Sequence, residues 1–242
     1  MKINPSITQA FVGEIIRQSK KGMRRIEFEM GPRIIRIDIF PNVFPPQAEN
    51  SISSKCLFET FGDLRGKMVA DVGCGTGVES IMAVLCGATY VYATDISQNA
   101  CACAKHNVDL NNFGDKISVY RGDLFSGLPR EKKYNLIIAN LPIVDFRPEV
   151  EDEITAALYD PALELHRRLF SEGMNYLAKD GEIIFVHANL QSREGDNPQT
   201  DFERLEYLIM ESGYQIIEKL YRDWLGYQWV SYRIKLANAY GR

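Results

Sequence analysis

The sequence predicts an α/β fold, a mostly parallel sheet with helices on both faces, and three observations carry that reading. Apolar β-type runs at residues 69–72, 90–95, 117–120 and 134–139 alternate with helical patterns at 78–85 and 99–110, the order of a parallel sheet wound by crossover helices. The run Tyr134-Asn135-Leu136-Ile137-Ile138-Ala139 is almost continuously apolar, as in a strand buried on both faces. Between the first strand and the helix after it lies Asp71-Val72-Gly73-Cys74-Gly75-Thr76-Gly77, a glycine-rich turn leading into a helix N-terminus. That order places a nucleotide-type ligand at the carboxyl end of a parallel strand.

Composition narrows the class. A length of 242 residues, 45% apolar and 25% charged, fits one large globular domain with a small extension. The net charge of −4 gives no broad electrostatic grip on nucleic acid, and the local cluster of Lys20, Lys21, Arg24 and Arg25 reads as a solvated helix end. Five cysteines without a C-x-x-C pair and three scattered histidines provide neither a metal site nor a disulfide framework. No apolar run approaches the roughly 18 residues of a membrane span. Met1-Lys2-Ile3-Asn4-Pro5 lacks the layout of a signal peptide, so a cytoplasmic location is expected.

Taken in order, residues 7–19 carry apolar side chains at helical spacing. Residues 25–30 alternate, Gly31-Pro32 turns, and 34–40 alternate in part, which predicts a β-hairpin. Residues 1–50 are too short to hold their own core and are expected to form an N-terminal α+β cap on a main domain of residues 51–242. Val43-Phe44-Pro45-Pro46 is a stiffened loop, and a helix follows across 55–61.

The glycine spacing separates two kinds of ligand. A G-x-G-x-x-G turn holds a pyrophosphate. Here Gly73, Gly75 and Gly77 follow Asp71, a carboxylate that repels phosphate and suits an ammonium group. The stretch resembles the first motif of class I S-adenosylmethionine-dependent methyltransferases, whose cofactor carries a sulfonium and an amino-acid end. The resemblance implies that Asp71 and the turn Gly73, Cys74, Gly75 and Gly77 receive that end. The next strand closes on Asp95, 18 residues beyond Gly77, where a carboxylate accepts both ribose hydroxyls; Ile96 then packs near the base. In the same family an acidic residue after the third strand accepts the adenine amino hydrogen. That assigns Asp123, with Leu124 beside it, to the cofactor, although Gly122-Asp123 alone is an ordinary turn.

The fourth strand ends in Asn140-Leu141-Pro142-Ile143, which resembles the N-P-P-Y motif of amino-methyltransferases. Methyl transfer is an in-line displacement, so the chain must hold a nitrogen lone pair on that line. An Asn oxygen and the next carbonyl accept the two hydrogens of an –NH₂ group, and proline stiffens the turn that presents them. Leu141 keeps the carbonyl and loses the stiffness, while Ile143 removes the ring on which a planar acceptor stacks. Phe146 is the candidate replacement ring, and Ile143, Asp145 and Phe146 are the candidate substrate contacts. The Val43-Phe44-Pro45-Pro46 loop resembles the entry to the catalytic domain of HemK-type and related small-domain methyltransferases. That implies a loop folded over the cofactor, with Phe44 and Ser51 at the matching positions.

The remainder reads as scaffold: a helix over 163–177, a turn at Asp180-Gly181, a strand over 182–187 ending in His187, a polar loop over 191–200, a helix over 201–212, and a hairpin of 214–220 with 229–236. The resemblance implies a Rossmann-like three-layer sandwich with a seven-stranded, mostly parallel sheet and an antiparallel C-terminal hairpin. The function it implies is S-adenosylmethionine-dependent N-methylation of a protein side chain or RNA. Two alternatives stay open: N- or O-methylation of a small-molecule amine, and a non-catalytic S-adenosylmethionine-binding regulatory protein. A nicotinamide dehydrogenase is disfavoured by the glycine spacing.

Overall fold

The computed structural model describes residues 8–30, 32–46, 52–147, 153–191, 197, 199–224 and 226–237. Helix α1 (Thr8–Ser19) leads into an antiparallel pair, β1 (Arg24–Met30) and β2 (Arg33–Ile39). After α2 (Ile52–Thr60) the main sheet begins: β3 (Met68–Val72), α3 (Val78–Leu85), β4 (Tyr90–Asp95), α4 (Gln98–Leu110), β5 (Ile117–Arg121) and β6 (Tyr134–Ala139). A short α5 (Glu153–Ala156) and a 3₁₀ turn (Pro161–Leu163) precede α6 (Glu164–Gly173), β7 (Leu177–Ala188), α7 (Thr200–Glu211), β8 (Tyr214–Trp224) and β9 (Tyr227–Leu236).

The seven strands run in the order β5-β4-β3-β6-β7-β9-β8, parallel from β5 through β7 and antiparallel for the closing hairpin. Period-two alternation within each strand sorts the side chains to two faces. Val69, Leu136, Ile138, Ile184 and Val186 share a core with α1, β2, α2, α3 and α4. Ala70, Val72, Ile137, Ala139, Ile183 and Phe185 face α6 and α7 on the other side. This is the Rossmann-like three-layer arrangement, and the chain reverses direction of growth at β3 and β6. In such sheets that reversal opens a crevice at the carboxyl ends of the strands.

The N-terminal hairpin shares the core of the main sheet through Ile35, Ile37 and Ile39. Asn107 of α4 joins the two parts. Its Oδ1 accepts from Asp38 N at 2.8 Å, and its Nδ2 donates to Asp38 O at 2.8 Å and to Thr76 O of the glycine turn at 2.9 Å. The Asp38 carboxylate also takes Arg25 at 2.7 and 2.8 Å and His106 Nε2 at 2.7 Å.

Two boundaries differ from the sequence expectation. The helix expected to run to residue 177 stops at Gly173, which packs so closely on Ile183 that an added Cβ would lie 3.2 Å from its Cδ1, and the chain then turns to place Leu177 beside Tyr134. Asp180-Gly181, expected as a turn before the strand, is an irregularity within β7: Gly181 lies so close to Tyr134 O that a Cβ would come within 2.8 Å. The terminal hairpin is also longer than its alternating pattern suggested.

Candidate active site

A cavity of ≈ 250 Å³ lies at the carboxyl ends of the central strands. The glycine turn forms one wall. Gly73, Gly75 and Gly77 all have positive φ, at 77°, 52° and 78°. The turn is tied to β4 by Gly73 N and Cys74 N, which donate to Thr94 O at 2.8 and 2.9 Å. Gly77, at the start of α3, tolerates no side chain for two reasons: its left-handed backbone, and Ala104, whose Cα would lie 3.2 Å from an added Cβ. Gly77 is structural here and lies off the cavity surface.

Asp95 lines the cavity at the tip of β4. Its two oxygens accept separately from Gly75 N and Ser97 N, each at 2.9 Å. A carboxylate offers about four acceptor positions, so these two bonds orient the group without exhausting it. Ile96 stands beside it at 60% exposure, a large apolar side chain turned to the cavity, with Leu124 also on the wall. Asp123 lines the cavity too, but Arg168 of α6 already grips its carboxylate at 3.0 and 3.1 Å. Phe44, half-buried, and Pro46 close the side before α2, while Ser51 lies outside the described residues.

The end of β6 supplies the opposite wall. Asn140 Nδ2 donates to Glu79 Oε1 at 3.0 Å and to Ser53 Oγ at 3.3 Å. Ser54 Oγ donates to the same Glu79 oxygen at 2.6 Å. Leu141, Pro142 and Ile143 continue the wall, with Leu141 Cδ2 against the glycine turn, 3.2 Å from where a Gly73 Cβ would stand. Trp229 reaches the cavity from β9, paired across from Ala188 of β7.

Several expected site residues are not brought to the cavity. Asp71 is sealed behind it, accepting from Ser80 Oγ at 2.5 Å. Burial raises its pKa, and the nearby charge of Glu79 raises it further. Asp145 is turned inward, accepting from Ala162 N at 2.7 Å and facing Arg204 Nη1 at 3.6 Å. Phe146 packs on the core and does not line the cavity, whereas the Trp229 ring does. His187 is buried edge-on to His166, ring centroids 5.4 Å apart, and burial lowers its pKa. His166 Nδ1 in turn lies 2.6 Å from Asp160 Oδ2, so this pair belongs to the packed interior. Of the 191–200 loop, residues 191, 197, 199 and 200 are described.

Glu79, Ser53, Ser54 and Trp229 are among the wall residues that motif reading missed. One signal was available: Glu79 is a carboxylate at the second position of α3, whose other residues apart from Ser80 are apolar. Buried carboxylates are rare unless paired. The serines and Trp229 carry no such mark.

Three carboxylates, Glu79, Asp95 and Asp123, therefore face one cavity, and no Lys, Arg or His is among its described lining residues. That wall suits a cationic or hydroxyl-bearing ligand better than a phosphate. Among the described residues no cluster of His, Cys, Asp or Glu is arranged to hold a metal, and no helix is long and apolar enough to cross a membrane.

Comparison with known proteins places the chain in a family. The family profile described as Methyltransferase small domain matches residues 35–218. A protein assigned as an N5-glutamine protein methyltransferase, from Methanocaldococcus jannaschii, is 32% identical over 163 residues, 64% of this chain and 77% of that one. The ribosomal protein L11 methyltransferase of Streptococcus agalactiae is 31% identical over 157 residues, again 64% of this chain; the chain spans 48% of that relative's length. Among solved structures, the ribosomal protein L11 methylase of Lactobacillus delbrueckii subsp. bulgaricus superposes with a TM-score of 0.59 at 24% identity, covering 78% of this chain and 80% of that one.

Proposed function

This chain belongs to the Methyltransferase small domain family, and from that premise we propose that it N-methylates a protein side chain with S-adenosylmethionine as donor. The carrying observation is the placement of Asn140 on the same cavity as the glycine turn and Asp95. Donor and acceptor machinery then face each other across one space, which is what an in-line transfer requires. The names of the two relatives above, one acting on glutamine and one on a ribosomal protein, support a macromolecular nitrogen as the target.

When bound, S-adenosylmethionine supplies a methyl group made electrophilic by its sulfonium. The cavity fits it on its own evidence: a cradle of positive-φ glycines, a preoriented carboxylate, an exposed Ile96 awaiting an apolar face, and a negative wall. Gly73 to Gly75 would hold the methionine end, Asp95 the ribose hydroxyls, and Ile96 and Leu124 the base. Asp123 meets the base edge from within its pair with Arg168. Asn140 Oδ1 and the Leu141 carbonyl accept the two hydrogens of the acceptor –NH₂, and Pro142 holds that turn. Trp229, which lines the same cavity as Ile143, would provide the ring that Ile143 lacks.

The test incubates methyl-labelled S-adenosylmethionine with the purified protein and a host lysate split into protein, RNA and small-molecule fractions. Protease-releasable label in the protein fraction is expected. Label confined to RNA or to small molecules would replace the acceptor in this reading. Cofactor binding with no label anywhere would favour a non-catalytic binding protein.

A further inference from the structure

Glu79 lies in the cavity wall outside every motif of the sequence. Its side chain is 5% exposed, at the second position of α3, among Val78, Ile81 and Met82 of the core. A carboxylate in such a place weakens packing and loses hydration, so its retention calls for a role. Burial raises its pKa, and the hydrogen bonds from Ser54 and Asn140 oppose that rise.

The geometry restricts what the role is. Glu79 Oε1 receives Ser54 Oγ at 2.6 Å and Asn140 Nδ2 at 3.0 Å. An oxygen that accepts from both cannot satisfy an amide oxygen. If the Asn140 amide turned over, Oδ1 and Oε1 would stand as two acceptors at about the distance now bridged by a hydrogen. Ser53 Oγ, 3.3 Å from the same Nδ2, does not decide the orientation, because a hydroxyl donates or accepts equally well. As the ionised carboxylate, held so by the hydrogen bonds from Ser54 and Asn140, Glu79 alone of these partners distinguishes the two ends of the amide.

We infer that Glu79 is a positioning residue: by holding Asn140 Nδ2 it commits Oδ1 to the acceptor nitrogen. This rests on the reading of Asn140 as the group that binds the acceptor. Glu79→Gln keeps the shape and presents either an oxygen or an –NH₂ to Asn140, so the amide orientation is no longer dictated.

The test has a spectroscopic and a kinetic part. In ¹⁵N-labelled protein the Asn140 side-chain –NH₂ signal, assigned by its loss in Asn140→Ala, is compared between wild type and Glu79→Gln. Transfer of methyl label to the lysate fraction that the wild type marks is measured alongside, with S-adenosylmethionine affinity by calorimetry. The expected result is a displaced Asn140 signal, kcat lowered about tenfold, and cofactor Kd within about threefold of wild type. Ser54→Ala loosens the same carboxylate without changing buried charge; it shows the same split in smaller measure and serves if Glu79→Gln does not fold. An unmoved Asn140 signal with unchanged kcat overturns the inference. So does a cofactor affinity that falls in step with kcat, which would make Glu79 a cofactor contact. If Asn140→Ala itself transfers methyl at the wild-type rate, the acceptor reading fails and the inference with it. Glu79→Gln keeping full rate while Asn140→Ala loses it overturns the inference alone.

Discussion

The two walls of the cavity are built in different ways. The wall proposed for the cofactor comes from the short turns after β3, β4 and β5, and backbone atoms hold it. Gly73 N and Cys74 N bond Thr94 O, and Asp95 is fixed by Gly75 N and Ser97 N. The wall proposed for the acceptor is an assembly of side chains from α2, α3, β9 and the residue after β6: Ser53 and Ser54, Glu79, Trp229 and Asn140. Where backbone forms the wall, change is tolerated wherever the turn conformation survives, and the Asp95 side chain is the exception. A wall of side chains changes with each residue that contributes to it, which is where substrate choice varies between members of one fold.

The largest expected effect probes the acceptor wall. Asn140→Ala lowers turnover about 10²- to 10³-fold, while S-adenosylmethionine affinity stays within about threefold. Steady-state transfer together with calorimetry separates the two quantities. Loss of both in proportion would show that the walls are not independent.

Asp95→Ala tests the other wall and reverses the pattern. Cofactor affinity is expected to fall about 10- to 100-fold, with a smaller change in kcat once the cofactor is saturating. Titration calorimetry reads it. Affinity unchanged in this variant would remove Asp95 from the ribose contact.

Gly77→Ala asks whether the turn is held by conformation alone. A left-handed residue at the start of α3, with Ala104 in the way, is expected to lose about 2 kcal/mol of stability in urea unfolding. Residual folded protein would still bind the cofactor, because Gly77 lies behind the cavity surface.

The smallest effect concerns the strap behind the turn. Arg25 beside Asp38 holds its carboxyl down to about 2, with His106 helping. The folded pKa is below the unfolded value, so this contribution is fully present above about pH 4 and disappears as pH falls toward 2. Arg25 and His106 are both partly exposed, and solvent screening limits the gain. Asp38→Asn is expected to cost about 1 kcal/mol at pH 7 and nothing near pH 2, read from unfolding midpoints across that range. A cost that persists at pH 2 would assign the effect to packing instead.

The β–α alternation, the central buried strand, the glycine turn, Asp95 and Asn140 were all legible in the amino-acid order. Each depends on local requirements: period-two burial, positive φ, or a residue at the tip of a strand. Tertiary structure alone decided which carboxylate faces the cavity. Asp71 and Glu79 sit eight positions apart on either side of one turn, yet packing seals the first behind Ser80 and leaves the second against Asn140. It also decided that Arg168 occupies Asp123, that Asp145 turns inward, and that Trp229 rather than Phe146 lines the cavity. Asn140 meets Ser53 across 87 residues of chain and Glu79 across 61. No local rule of dihedral angle or periodicity reaches that far; only the docking of α2, α3 and β9 onto the sheet brings those atoms within bonding distance.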